Sequence, residues 1–154
     1  MTPREALNQR VRDARRFRYV PDAAKTADWI EQVLADHFQT ANETEARGQG
    51  DCEDYASWTI QRGYDLALDF TAPGESPGEW RMLLGAVYQQ GVWSGHAWPE
   101  LIEPDGRRVW ADPTWGWRAD DPAMLGFPAT RTPRRGFRFN GMIYEGPIAY
   151  EALL

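Results

Sequence analysis

Residues 50–67 read GDCEDYASWTIQRGYDLA, and the way this stretch is read decides the fold. Ala56, Ile60, Gly63 and Ala67 recur at helical spacing, and carrying the stripe back four residues reaches Cys52. A helix therefore starts at Asp51 or Cys52, with the cysteine in its first turn, facing whatever the helix packs against. A thiolate at such a position gains from free N–H groups and the positive end of the helix dipole. The flanking Asp51, Glu53 and Asp54 act the other way, since negative charge raises a thiol pKa. Asp51 suits an N-cap, while Glu53 and Asp54 turn either to solvent or into hydrogen bonds. An oxygen-rich cluster of this kind also suits a hard cation such as calcium.

A thiol nucleophile needs a base, and the chain has two histidines, His37 and His96. His37 lies at the edge of an apolar helical stripe (Ala27, Ile30, Val33, Leu34, Phe38) and reads as structural. His96 falls in a strand over 92–102, where period two puts Ser94, His96, Trp98 and Glu100 on one face. The turn Glu103-Pro104-Asp105-Gly106 closes a hairpin onto a second strand over 108–112, with glycine in the left-handed position. In that register Glu103 opposes Arg107, Trp98 faces Asp112 and His96 faces Thr114. Asp112 and His96 become diagonal neighbours on one face, about 7 to 8 Å apart at the backbone, close enough for a carboxylate to orient an imidazole. A loop shorter by one residue would send Asp112 to the other face.

Outward from this centre, Leu7, Val11 and Ala14 mark an N-terminal helix with Pro3 in its first turn, and Phe17 and Tyr19 a short extended stretch. Residues 39–50 read as a polar loop, 71–78 as a Pro/Gly loop, 80–88 as a covered strand and 113–135 as a long ordered loop. A final hairpin is expected around Asn140-Gly141, between 137–139 and 142–144. Helices first and strands afterwards predict an α+β fold, helices packed on an antiparallel β-sheet, in a single domain over 1–154. The basic run Arg131, Arg134, Arg135 and Arg138 reads as a solvated face.

The 154 residues, 42% hydrophobic with 8 Trp, 6 Tyr and 6 Phe, suffice for one core. A net charge of −6 gives no reason to expect nucleic acid as a partner, and a single cysteine excludes an internal disulfide. No window suits membrane insertion, and no secretory leader is evident, so a cytoplasmic location is expected for the chain as written, periplasmic if a leader has been removed. Oligomeric state is not legible.

Three segments then stand together: Gly50-Asp51-Cys52-Glu53-Asp54-Tyr55-Ala56, Gly95-His96-Ala97-Trp98-Pro99-Glu100 and Ala111-Asp112-Pro113-Thr114. They resemble the Cys, His and Asp boxes of the transglutaminase-like superfamily. The first is similar to that of the bacterial transglutaminase-like cysteine peptidases, as are the approaches Phe17-Arg18-Tyr19 and Phe38-Gln39-Thr40, while Asp-Pro-Thr looks closer to the transglutaminases. The resemblance implies a papain-like core with Cys52 as nucleophile, His96 as acid and base and Asp112 orienting it. It also implies an oxyanion held by the Cys52 backbone N–H and a second donor upstream, for which Gln39 and Gln49 are candidates. Some bacterial members are calcium-dependent periplasmic proteases that cut adhesins. Their metal carboxylates carry over to Asp51 and Glu53, with Asp54 a further candidate, although the chemistry itself requires no cofactor.

The expected function is a cysteine hydrolase, a peptidase or amidase working through an acyl-enzyme thioester on a protein or peptide substrate. The alternatives are transglutaminase-type acyl transfer by the same triad and a non-catalytic binding module. Trp98 and Trp110, with Trp115 and Trp117, are candidates for a substrate groove or for ordinary packing.

Overall fold

The structure is a computed structural model and describes residues 1–20, 39–89, 92–120, 130–131 and 136–138. The expected helix around Ala27–Phe38, with His37, and the hairpin around Asn140 lie outside these residues, as do Arg134 and Arg135.

Helix α1 (Pro3–Ala14) opens on a capping box, in which Thr2 accepts from Glu5 N–H and the Glu5 side chain accepts from Thr2 N–H. It buries Ala6, Leu7, Val11 and Ala14. The chain then runs through β1 (Arg18–Tyr19), α2 (Ala41–Arg47), β2 (Gln49–Gly50) and α3 (Cys52–Asp69). The segment read as a loop over 39–50 therefore contains a helix and a short strand. Its cause is local: Thr40 and Glu43 form a second capping box, and Gly48 ends the helix in the left-handed region at φ 66°. Only Ala41 and Thr44 of α2 are buried, too few to write a hydrophobic period. Side chains of α3 hold α2 in place. Gln61 accepts from Ala41 N–H at 3.0 Å, Arg62 donates to Glu45 at 2.8 Å, and Trp58 Nε1 donates to the same carboxylate at 2.9 Å.

Strands β3 (Glu79–Gln89), β4 (Val92–Ile102), β5 (Arg108–Asp112) and β6 (Trp117–Asp120) follow, with β7 (Thr130–Arg131) and β8 (Gly136–Arg138) on the far side of β3. The order β6-β5-β4-β3-β7, with β8 also on β3, makes one antiparallel sheet. The 113–135 loop is thus corrected as well, since β6 and β7 fall within it; at four and two residues they are too short to show an alternation. The predicted β4–β5 register holds from Ile102–Arg108 to Glu100–Trp110, closed by Gly106 at φ 88° and by Glu103 N–H on Arg107 O at 2.8 Å. The β4–β5 ladder ends at Glu100–Trp110, so the expected facing pairs Trp98–Asp112 and His96–Thr114 do not form within it, and Asp112 pairs with Trp117 of β6.

Period two sorts the sheet into faces. Met82, Ala97, Leu101, Val109 and Ala111 pack with Leu7, Val11, Cys52, Ala56 and Ile60 from α1 and α3. Burying a side chain of this size contributes roughly 1.5–3 kcal/mol. Leu83, Trp98 and Trp110 form a second cluster on the opposite face. A small parallel pair, Arg18 with Gln49 and Tyr19 with Gly50, ties the end of α1 to the entrance of α3.

Candidate active site

Cys52 is the first residue of α3, and Asp51 caps it: Asp51 Oδ1 accepts from Asp54 N–H at 3.3 Å, and Asp54 Oδ2 accepts from Asp51 N–H at 3.1 Å. The cysteine is 7% exposed and buried against the sheet. It shares one buried cluster with Ala97, the residue after His96. Burial pushes the thiol well above its ordinary pKa; the charges of Glu53 and Asp51 push the same way, as does a hydrogen bond from the thiol to Glu53, and only the Ala97 N–H opposes them.

His96 and Asp112 are both buried, and Nε2 of His96 lies 2.6 Å from Oδ2 of Asp112. The other carboxylate oxygen accepts from Thr114 N–H at 3.0 Å and Trp115 N–H at 3.3 Å, so the turn after β5 fixes the acid. The diagonal predicted from the hairpin register is thus formed. The imidazole is layered between Trp98, at 5.7 Å and 25°, and Trp115, at 4.7 Å and 16°. Such stacking leaves the ring little rotational freedom. Ala97 packs with Cys52 in the helix-facing cluster, and its neighbour His96 stacks on Trp98.

This geometry gives several of the sequence-based candidates definite partners. The Gln39 side-chain amide donates to Asp54 Oδ2 at 2.6 Å and more weakly to Gln49 O at 3.4 Å. Gln49 is exposed and alternates with Gly50, whose missing Cβ faces Asp54, so its side chain points away from α3. Asp54, the further metal candidate, is engaged by hydrogen bonds. Its carboxylate accepts from Gln39 N–H at 2.8 Å, from the Gln39 amide and from Asp51 N–H, which makes it the clamp that fixes the entrance to α3. Glu53 and Asp54 are both 4% exposed, so neither turns to solvent. Trp98 is 0% and Trp110 6% exposed, so both are packing residues rather than groove walls; Trp110 Nε1 donates to buried Glu100 at 2.8 Å.

For calcium, this leaves Asp51 and Glu53 beside the cysteine. Calcium takes six to eight oxygens, and no group of three or more candidate ligands gathers among the described residues. These residues alone do not make a metal site. Two further residues stand beside the site. Trp115 covers His96 from an irregular turn, and Tyr19 reaches the entrance of α3 through a two-residue parallel pair, too short to leave a period.

A helix with cysteine in its first turn, laid on an antiparallel sheet whose neighbouring strands carry His96 and Asp112, defines a transglutaminase-like fold. Among solved structures, the chain is similar to calcium-bound LapG of Legionella pneumophila, with a TM-score of 0.58 and 18% identity over 88% of this chain. The similarity spans 64% of that chain's length. No protein-family model matches the chain, and no curated protein matches it. Among the described residues no helix is long and apolar enough to cross a membrane.

Proposed function

We propose that the protein is a cysteine hydrolase acting on a peptide or amide bond of a protein or peptide substrate, with Cys52 as nucleophile, His96 as acid and base and Asp112 as the orienting acid. One observation carries this reading: Nε2 of His96 is held by Asp112 at 2.6 Å, on the strand whose next residue, Ala97, shares a packing cluster with Cys52 in the first turn of α3. With Nε2 engaged, Nδ1 is the nitrogen assigned to the thiol proton. His96 takes the thiol proton as general base as the sulfur attacks. The S–C bond forms, the carbonyl electron pair moves to oxygen, and the Cys52 backbone N–H holds that oxyanion. Collapse expels the amine, which takes the proton from His96, and water then releases the acyl group from the thioester. An amine in place of water would give acyl transfer from the same intermediate.

No step is routed through a metal. Asp51 and Glu53 are the carboxylates a cation would meet, and the calcium in the solved neighbour gives the reason to test one. The second reading, a non-catalytic module, draws on the burial of Cys52 and its raised pKa.

Acylation by p-nitrophenyl acetate separates the two, read as release of p-nitrophenolate and as acetyl mass on Cys52, in chelator and in calcium. The catalytic reading expects Cys52 to be acylated and turned over in the wild type, with a large loss in His96→Ala. Added glycinamide then distinguishes acyl transfer from hydrolysis. Equal, slow acylation of wild type and His96→Ala in both media would leave the binding module as the better account.

A further inference from the structure

With Gln39 and Gln49 directed elsewhere, the oxyanion needs a second donor from another element. The need is real, because Asp51 and Glu53 beside the cysteine disfavour new negative charge at that point. Tyr19 is placed to meet it. It is the last residue of β1 and lies opposite Gly50 in the parallel pair, held there by Arg18 N–H on Gly48 O and Val20 N–H on Gly50 O, both at 2.9 Å.

Directly opposed residues share a face. The face of Gly50 is fixed, since a Cβ there would lie 2.5 Å from Cβ of Asp54, in the first turn of α3. Tyr19 therefore leans over that same turn. Its ring meets Tyr55 edge-on at 5.8 Å and 84°, and Tyr55 is itself tied back to Phe17 O at 2.8 Å. The residue is 44% exposed, so it can reach an incoming ligand. Its phenol is protonated at neutral pH, and partial burial, with the carboxylates of Asp51, Glu53 and Asp112, raises its pKa further. It stays protonated and remains a donor.

We propose that the Tyr19 hydroxyl is the second oxyanion donor, hydrogen-bonding the carbonyl oxygen of the acyl group under attack by Cys52. The assignment rests on the acyl-enzyme reading above. As the S–C bond forms and the carbonyl pair moves to oxygen, Tyr19 donates a hydrogen bond without giving up its proton. When the intermediate collapses, the pair returns to the carbonyl and the hydrogen bond weakens.

The test compares two reactions of one thiol in wild type and Tyr19→Phe. Alkylation by iodoacetamide passes through no oxyanion, whereas acylation by p-nitrophenyl acetate does. Losing an oxyanion donor costs on the order of 10²–10³-fold in rate. The expected result is a loss of that order in acylation by Tyr19→Phe, with alkylation rate and pH profile close to wild type, which also shows the fold intact. Tyr19→Phe acylating at the wild-type rate would overturn the role of Tyr19 while leaving Cys52 catalysis standing. Equal losses in both reactions would overturn it too, by showing that the hydroxyl acts on the thiol itself. A wild type that does not acylate Cys52 would sink both readings together.

Discussion

Nε2 of His96 lies 2.6 Å from Oδ2 of Asp112, and Oδ1 of the same carboxylate is taken by the N–H groups of Thr114 and Trp115. One side chain thus orients the imidazole and closes the turn behind it. Asn and Ala substitutions separate these duties. Asp112→Asn keeps an acceptor for the turn and should hold its stability, yet lose acylation by about 10³–10⁴-fold, the order expected when an orienting acid becomes its amide. Asp112→Ala strands the turn donors as well and should cost about 1–3 kcal/mol in urea denaturation. An Asn variant with wild-type acylation would remove Asp112 from the catalytic group.

The thiol of Cys52 gives a pH dependence with a definite sign. Burial, then Glu53 and Asp51, keep it protonated in the folded chain to higher pH than in the unfolded chain, where a cysteine titrates near about 8.5. Below that pH both states hold the proton and the contribution is constant. Above it the unfolded state releases the proton first, so stability falls as pH rises until the folded thiol ionises, by at most about 1.4 kcal/mol per pH unit. The stability difference between wild type and Cys52→Ser should be flat at neutral pH and shrink in alkali. A difference that stays flat throughout would show the folded thiol titrating normally.

Glu53 both charges the surroundings of the thiol and accepts its hydrogen bond. Glu53→Gln removes the charge, so in chelator the variant should alkylate with iodoacetamide severalfold faster than wild type near neutral pH. If Glu53 instead serves mainly to hold calcium, the wild type speeds up on adding calcium, the variant does not, and in chelator the two react alike.

Asp54 accepts three hydrogen bonds at 2.6 to 3.1 Å from Gln39 and Asp51 while almost fully buried. Asp54→Ala leaves these donors without an acceptor and should cost about 2–4 kcal/mol, hydrogen bonds to a charged group being the strong ones. The loss should be the same with calcium and with chelator. A loss seen only in calcium would restore Asp54 as a metal ligand.

The parts of this site that were legible in the sequence are those written in periodicity or turn chemistry. The α3 stripe placed Cys52 in a first turn, and the Pro-Asp-Gly turn fixed a register that carried Asp112 to His96. The parts that were not legible depend on contacts between distant segments. Gln39 and Gln49 looked equivalent because nothing local shows that Asp54, 15 residues beyond Gln39, claims its amide. Trp98 and Trp110 could be read as groove or core until the second face of the sheet was seen to bury them with Leu83. Helix α2 escaped notice because its signals are caps rather than an apolar stripe, and a stripe is what a period detects.

Gly63 tests how closely α3 must lie on the sheet for Cys52 to meet Ala97. In an exposed helix, Gly→Ala gains about 1 kcal/mol. Here a Cβ would fall 2.5 Å from Cζ3 of Trp80, which is 1% exposed and anchored through Nε1 on Pro77 O at 2.9 Å, so the ring cannot simply swing aside. Overpacking of this kind costs about 1–3 kcal/mol, enough to reverse the helix gain. Gly63→Ala should therefore destabilise the protein, and in a Trp80→Leu background, where the ring is gone, the same change should become neutral or stabilising. Acylation should follow the packing, falling in the single variant as α3 is pushed off β3 and β4. Equal effects of Gly63→Ala in the two backgrounds, read by urea denaturation, would show that the helix does not press on Trp80 and that Cys52 is held against the strand by its cap and the Asp54 clamp alone.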